Sequence, residues 1–237
     1  MRGAISKQES FLRENALYNE GSYVDYKSCY HSIVKHIIQA NHCSIDIFCQ
    51  SWNPDLKDDL LQLYNPVKYN FEDNRRYNEE IKSFCEEPNE FGGISQALAM
   101  KKSIELKEEY EKENNIKYDV VILYRYDVLL WKDIVLSTYA MNEIYVNAHS
   151  DSNGDFHFIM NSENASEFKY LYDSVKLGNP CRTHFWIKNY VHHFMKKNLL
   201  MDQIVPGHHQ EVLRKIYSFS INAGHLSMEQ FLSYQHL

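Results

Sequence analysis

Apolar positions in this chain recur either every three to four residues or in short consecutive runs, and together they predict helices alternating with strands. Within residues 26–40, Cys29, Tyr30, Ile33, Val34, Ile37 and Ile38 share one helical face, and the run SIDIFC at 44–49 follows as a short strand. Asn53 ahead of Pro54 suits a helix start, with Leu56, Leu60, Leu61 and Leu63 turning inward through Tyr64. Residues 66–71 predict another strand. An acidic, irregular segment at 86–90 precedes Gly92-Gly93, which leads into a long helix over 94–114. The second half of that helix, KEEYEKENN, is a solvated charged face and needs no functional explanation.

Strand signals dominate the middle of the chain. Val120-Val121-Ile122-Leu123 is a consecutive apolar run of the kind found in a central strand covered on both faces. Residues 143–147 and 156–161 supply two more strands, separated by the turn-rich stretch 149–154. Ser162 and Glu163 open a helix to about residue 175, and Thr183 caps another to about residue 199. No internal repeat or low-complexity linker interrupts the pattern, so the expectation is one α/β domain over 1–237 with a mixed central sheet flanked by helices.

Composition narrows the function. The 237 residues, 44% hydrophobic and 24% charged, match an ordinary soluble globular protein able to bury a sizeable core. A net charge of -7 without a long Lys/Arg run argues against nucleic acid as a partner held on a broad basic surface. Five scattered cysteines (Cys29, Cys43, Cys49, Cys85, Cys181) with no C-x-x-C suggest neither a disulfide framework nor a structural zinc site. No stretch approaches the roughly 18 apolar residues of a membrane span, and MRGAISKQES carries no apolar signal region. The expectation is therefore a cytoplasmic protein without a transmembrane segment, in which the Asn164-Ala165-Ser166 sequon is accidental.

The candidate chemistry sits in YDVVILYRYDVLLW at 118–131, where the apolar run delivers Arg125 and Asp127 to its exit. Ligands of open α/β sheets gather at the carboxyl ends of such strands. Strand alternation puts Arg125 and Asp127 on one side and Tyr126 on the other. A carboxylate there can hold a hard divalent cation that neutralises a diphosphate, and a guanidinium can grip phosphate through its planar fork. An Arg–Asp ion pair closing the strand end explains the same spacing, and the residues alone leave both readings open.

The ordered set SIDIFCQSWNPDL, LYNPVKYNFE, ISQALAMKKSIELKEEYE, YDVVILYRYDVLLW and DFHFIMNSENASEF, over residues 20–200, resembles a family of small glycosyltransferases. These have the nucleotide-diphospho-sugar (GT-A) fold and occur in large DNA viruses and bacterial polysaccharide gene clusters. The resemblance implies a nucleotide-binding half at 1–130 and a sugar and acceptor half at 131–237. It also implies a donor site at the strand exits, where an acidic motif binds Mn²⁺ or Mg²⁺ and the diphosphate of a nucleotide sugar. That role falls on Asp127. The family usually carries Asp-x-Asp, whereas this chain has Arg125-Tyr126-Asp127, so either Asp127 binds the metal with water and phosphate oxygens, or Arg125 partly replaces the cation.

The same resemblance places a nucleotide-wrapping turn at Arg2 and Gly3, behind a first strand that looks truncated. Phe48 and Trp52 then line the base or ribose pocket, and Ser95 and Gln96 face the nucleotide. Lys101 and Lys102 come within reach of phosphates. Asp155, after Ser152-Asn153-Gly154, becomes the candidate for sugar recognition or general base. Among twelve histidines, His209 is the candidate late metal ligand, while His192 and His193 lie on a helix beside Tyr190 and Phe194 and read as boundary residues. Each of these has a plain alternative: a frayed terminus for Arg2-Gly3, core packing for the aromatics, a turn cap for Asp155.

The implied function is transfer of a sugar from a nucleotide-diphosphate sugar, a UDP-sugar first, to a hydroxyl of a glycan acceptor. A non-catalytic nucleotide-sugar or glycan-binding domain is the alternative. A metal-dependent phosphatase or nuclease is a third class, disfavoured because two-metal sites need several convergent carboxylates. The transferase reading also requires the Asp127 carboxyl to face a cleft.

Overall fold

The computed structural model describes residues 26–86, 90–149, 152–175, 183–202 and 210–212, with single residues at 229 and 233. The first helix, α1 (Tyr26–Ile33), runs into a π-helical turn (Val34–Ile38) and buries Cys29, Ile33 and Ile37 as their spacing predicts. Strand β1 (Phe48–Ser51), a 3-10 turn (Pro54–Leu56), α2 (Lys57–Tyr64) and β2 (Lys68–Phe71) form a parallel strand–helix–strand unit, in register from Phe48 with Lys68 to Ser51 with Phe71. A 3-10 turn (Asn74–Tyr77) and α3 (Asn78–Phe84) follow, too short and polar to show a period in the sequence.

The long helix α4 (Phe91–Asn114) carries Ile94, Ala97, Leu98, Met100 and Ile104 into the main core. It ends at Asn115, whose left-handed φ of 51° is one that Asn tolerates well. Strand β3 (Val121–Tyr124) opens the second half, followed by β4 (Val128–Leu130), β5 (Ile144–His149) and β6 (Ser152–Met160). Then come α5 (Ser162–Phe168), α6 (Leu171–Ser174), α7 (Thr183–Asn189) with a π-helical turn (Tyr190–Phe194), β7 (Leu199–Asp202) and β8 (Gln210–Val212). The four-stranded sheet runs β3-β6-β5-β7, antiparallel except for the parallel β5–β7 edge, and β4 pairs with β8. The fold is α/β with a mixed sheet.

Three local expectations need correction. The strand expected at 44–49 begins only at Phe48, where the parallel register with Lys68 of β2 starts. The helix expected from Thr183 to about 199 has Thr183 as its first helical residue and ends in the π turn, after which Leu199 starts β7 beside β5.

The stretch 149–154, read as a turn, is mostly strand. Ala148 faces Asn153 and His149 faces Ser152, with the register shifting between Val146 and Ala148. That irregularity turns the Asn147 side chain onto β6, where its Oδ1 accepts from the Phe156 N–H at 2.8 Å. Gly154 makes the room: a Cβ there would lie 1.9 Å from Asn147 Nδ2. Gly154→Ala is expected to displace Asn147 and cost about 1–3 kcal/mol in urea denaturation. Pairing it with Asn147→Gly is expected to recover part of the loss.

Candidate functional site

Strand β3 ends at Tyr124, and the chain turns through Tyr126 and Asp127 into β4. Arg125 and Asp127 fall on the same side, as alternation predicts. The guanidinium grips the carboxylate in a two-point fork, Nε to Oδ1 at 2.8 Å and Nη2 to Oδ2 at 2.8 Å. Tyr126 points the other way, fully buried against the Tyr64 ring with centroids 5.4 Å apart.

The antiparallel pairing of β3 with β6 sets Tyr124 opposite His157, which carries Asp155 to the same strand end. Arg125 Nη1 donates to Asp155 Oδ2 at 3.0 Å. Gln96, in the second turn of α4, donates its Nε2 to the same oxygen at 2.7 Å. The Phe156 ring lies 5.9 Å from the guanidinium carbon. One cation therefore joins two carboxylates that are far apart in sequence. Burial alone would depress the Arg125 pKa, but Asp127 and then Asp155 push it above the usual arginine range, so the charge is permanent. The guanidinium N–H groups not used in these bonds are what the cluster can offer to an anionic oxygen.

Asp127 itself is 3% exposed, and it borders neither the cavity of about 590 Å³ beside β1 and β3 nor the one of about 560 Å³ at the end of α4. The expectation that its carboxyl faces a cleft is not met: Arg125 covers it. Asp155 and Arg125 keep 13% and 12% of their side-chain surface. They are the members of the group within a ligand's reach.

The other candidates disperse. Ser95 is buried beside Gln96 on α4, and Trp52 is core, its ring 5.7 Å from that of Tyr77. Phe48 meets Tyr110 and Tyr118 at 5.7 and 5.8 Å, which puts it at the start of β3 rather than at its exit. Lys101 is paired with Asp173 at 2.8 Å and Lys102 with Glu72 at 2.8 Å. Arg2, Gly3 and His209 lie outside the described residues.

As arranged, these residues do not fit Mn²⁺ or Mg²⁺ on Asp127. Both of its oxygens accept from Arg125, and a dication bound there would have to displace the guanidinium that neutralises it. Asp155 Oδ2 is likewise shared by Arg125 and Gln96. Among the described residues no three His, Cys, Asp or Glu side chains converge as ligands.

One buried polar group escaped sequence reasoning. His157 Nε2 lies 3.0 Å from Asp202 Oδ2, which also accepts from the Tyr139 hydroxyl at 2.8 Å, and all three side chains are buried. The single signal was His157 interrupting the apolar run DFHFIM. Its ring stacks parallel to that of Tyr124, at 6.4 Å, directly before Arg125. The relay therefore supports the strand that carries the cluster.

No protein-family model matches the chain, and no curated protein matches it.

Proposed function

We propose that this protein is a GT-A-type glycosyltransferase that moves a sugar from a nucleotide-diphosphate sugar, a UDP-sugar first, to a glycan hydroxyl. The observation that carries the proposal is the meeting of Arg125, Asp155 and Gln96 at the carboxyl end of β3, where an α/β sheet binds its ligands. The residues come from a strand exit, the neighbouring antiparallel strand and the start of the long helix, the three places the resemblance implies.

Arg125 supplies the fixed positive charge for the departing diphosphate, and charge stabilisation of the leaving group is the main catalytic demand of such a transfer. The covered Asp127 carboxyl removes the form of this reading in which Asp127 itself meets the donor, and the proposal rests instead on Arg125 and Asp155; Asp127 acts through Arg125, holding the fork in place, and is a positioning residue. Asp155, once a ligand draws Arg125 toward itself, is the carboxylate left to orient the sugar or take the acceptor proton.

A panel of UDP-, GDP- and CMP-sugars in thermal-shift experiments tests the reading. A ligand at 100 times its Kd is expected to stabilise by about 2.7 kcal/mol. UDP-sugars are expected to raise Tm with and without Mn²⁺, and Asp155→Asn to lower UDP-sugar turnover roughly 100-fold while leaving the shift in place. No shift with any nucleotide sugar would remove the proposal. The two-point hold of Arg125 on Asp127 and its further contact to Asp155 favour one second reading, a non-catalytic nucleotide-sugar or glycan-binding domain, which predicts the same shift without turnover.

A further inference from the structure

The cavity of about 590 Å³ lies apart from the Arg125 cluster, and none of Arg125, Asp127, Asp155 and Gln96 borders it. The walls that the described residues supply are mainly aliphatic. Ile37 and Ile38 come from the π-helical turn after α1, Ile47 from the approach to β1, Val121 and Ile122 from β3, and Ile104 from α4. The π winding falls on the stretch of helix that walls the cavity, and such turns are frequent at functional sites. Beside this space Val121 and Ile122 stay only half-buried, although their apolar run reads as a strand covered on both faces.

Two wall residues carry polar atoms that the protein leaves unmet. Tyr64 is 2% exposed and Tyr124 is 1% exposed, and neither hydroxyl has a hydrogen-bond partner. They are neighbours: burial and then the nearby Cys29 thiol push both pKa values up, and Tyr124 adds to the shift at Tyr64. Both therefore stay protonated, able to donate and to accept. A buried hydroxyl in this position has lost its bonds to water and replaced them with nothing, so an oxygen supplied by an occupant is favoured there.

Charge selects the rest of the occupant. Lys107, the buried cation on the wall, is already held by Glu111 at 3.2 Å and by Ser162. The exposed rim sets Asp46 and Asp119 against Lys117, which itself lies 3.6 Å from Glu111. An anion therefore meets repulsion at the rim and, among the described residues, no uncommitted cation on the wall. An apolar cavity of about 150 Å³ takes a benzene ring, so this one has room for roughly 20 carbon atoms. We propose that the cavity is a ligand site of its own, for an uncharged aliphatic molecule with one hydroxyl or carbonyl oxygen, which the Tyr64 and Tyr124 hydroxyls receive. This inference does not depend on the sugar-transfer reading.

Calorimetric titration of the 237-residue chain tests it, with 1-octanol, octanoate and 1-chlorohexane as probes. Octanol is expected to bind saturably with a negative heat-capacity change, and octanoate roughly tenfold more weakly or worse. Tyr64→Phe and Tyr124→Phe are each expected to weaken octanol roughly three- to tenfold and to leave 1-chlorohexane unchanged, because a hydrogen bond is lost and no wall moves. Neither hydroxyl has a partner to lose, so the urea midpoints of both variants are expected to hold or rise. Ile122→Trp and Ile38→Trp fill the space from two different walls, and whichever folds is expected to abolish binding of both octanol and 1-chlorohexane. Absence of octanol binding, octanoate binding as tightly as octanol, tyrosine variants that bind octanol like the native chain, or binding that survives the filled cavity overturns the inference.

Discussion

Replacing Arg125 by Met is expected to lower stability by about 3–5 kcal/mol in urea denaturation, because it removes the guanidinium that two mostly buried carboxylates, Asp127 and Asp155, share. Breaking a buried pair from one side costs far more than the pair itself contributes, so the double variant Arg125→Met with Asp127→Asn is expected to be more stable than Arg125→Met alone. The same pair of variants separates folding from function. If Arg125 is the charge that meets the diphosphate, the double variant regains stability but not the UDP-sugar thermal shift. A double variant that binds UDP-sugars as well as the native protein would leave the fork a purely structural clamp.

The second large effect is expected at Lys107, which is 3% exposed on α4. Its ammonium contacts Glu111 at 3.2 Å and donates to the Ser162 side chain and to the Ser162 carbonyl at 3.2 Å. Glu111 in turn accepts from the Tyr118 N–H at 3.0 Å, so one charged pair pins the start of β3 and the start of α5 to the long helix. Lys107→Met is expected to cost about 3–5 kcal/mol, because the buried Glu111 carboxylate then keeps only the longer contact to the exposed Lys117, at 3.6 Å, as its cation.

Acid should expose the same link. Burial raises the Glu111 pKa, but its bonds to Ser162, Tyr118 and Lys107 outweigh that and hold the folded value below the ordinary glutamate range. Its contribution is therefore complete above about pH 4.5 and is lost as pH falls through the depressed value. In Lys107→Met the Ser162 and Tyr118 bonds to Glu111 remain, so acid unfolding midpoints are expected to move closer to neutral without losing their slope toward low pH.

Local periodicity carried the parts of the fold that depend on one segment at a time. The face of α1, the long helix and the side shared by Arg125 and Asp127 all follow from spacing within a few residues, and all are present. Asp155 reached the cluster through β3–β6 pairing, a contact between distant segments that spacing cannot express. Gly154 read as a turn residue because the reason for it, the Asn147 side chain lying against β6, sits on another strand. His157 and Asp202, 45 positions apart, carry no mutual signal in the sequence. The cover placed by Arg125 over Asp127 was also invisible: alternation gives the side of a strand, and only the packed structure shows which of two neighbouring charges lies outermost.

Cys43 borders the cavity of about 590 Å³ that β1, β3 and the π-helical turn after α1 line, and it is exposed, whereas Cys29 and Cys49 are buried and Cys85 is partly covered. Burial also pushes the Cys49 thiol above its ordinary pKa, which keeps it protonated and slow to react. A maleimide fluorophore should therefore label Cys43 well ahead of Cys29 and Cys49, setting a dye at the cavity's rim without any engineered handle.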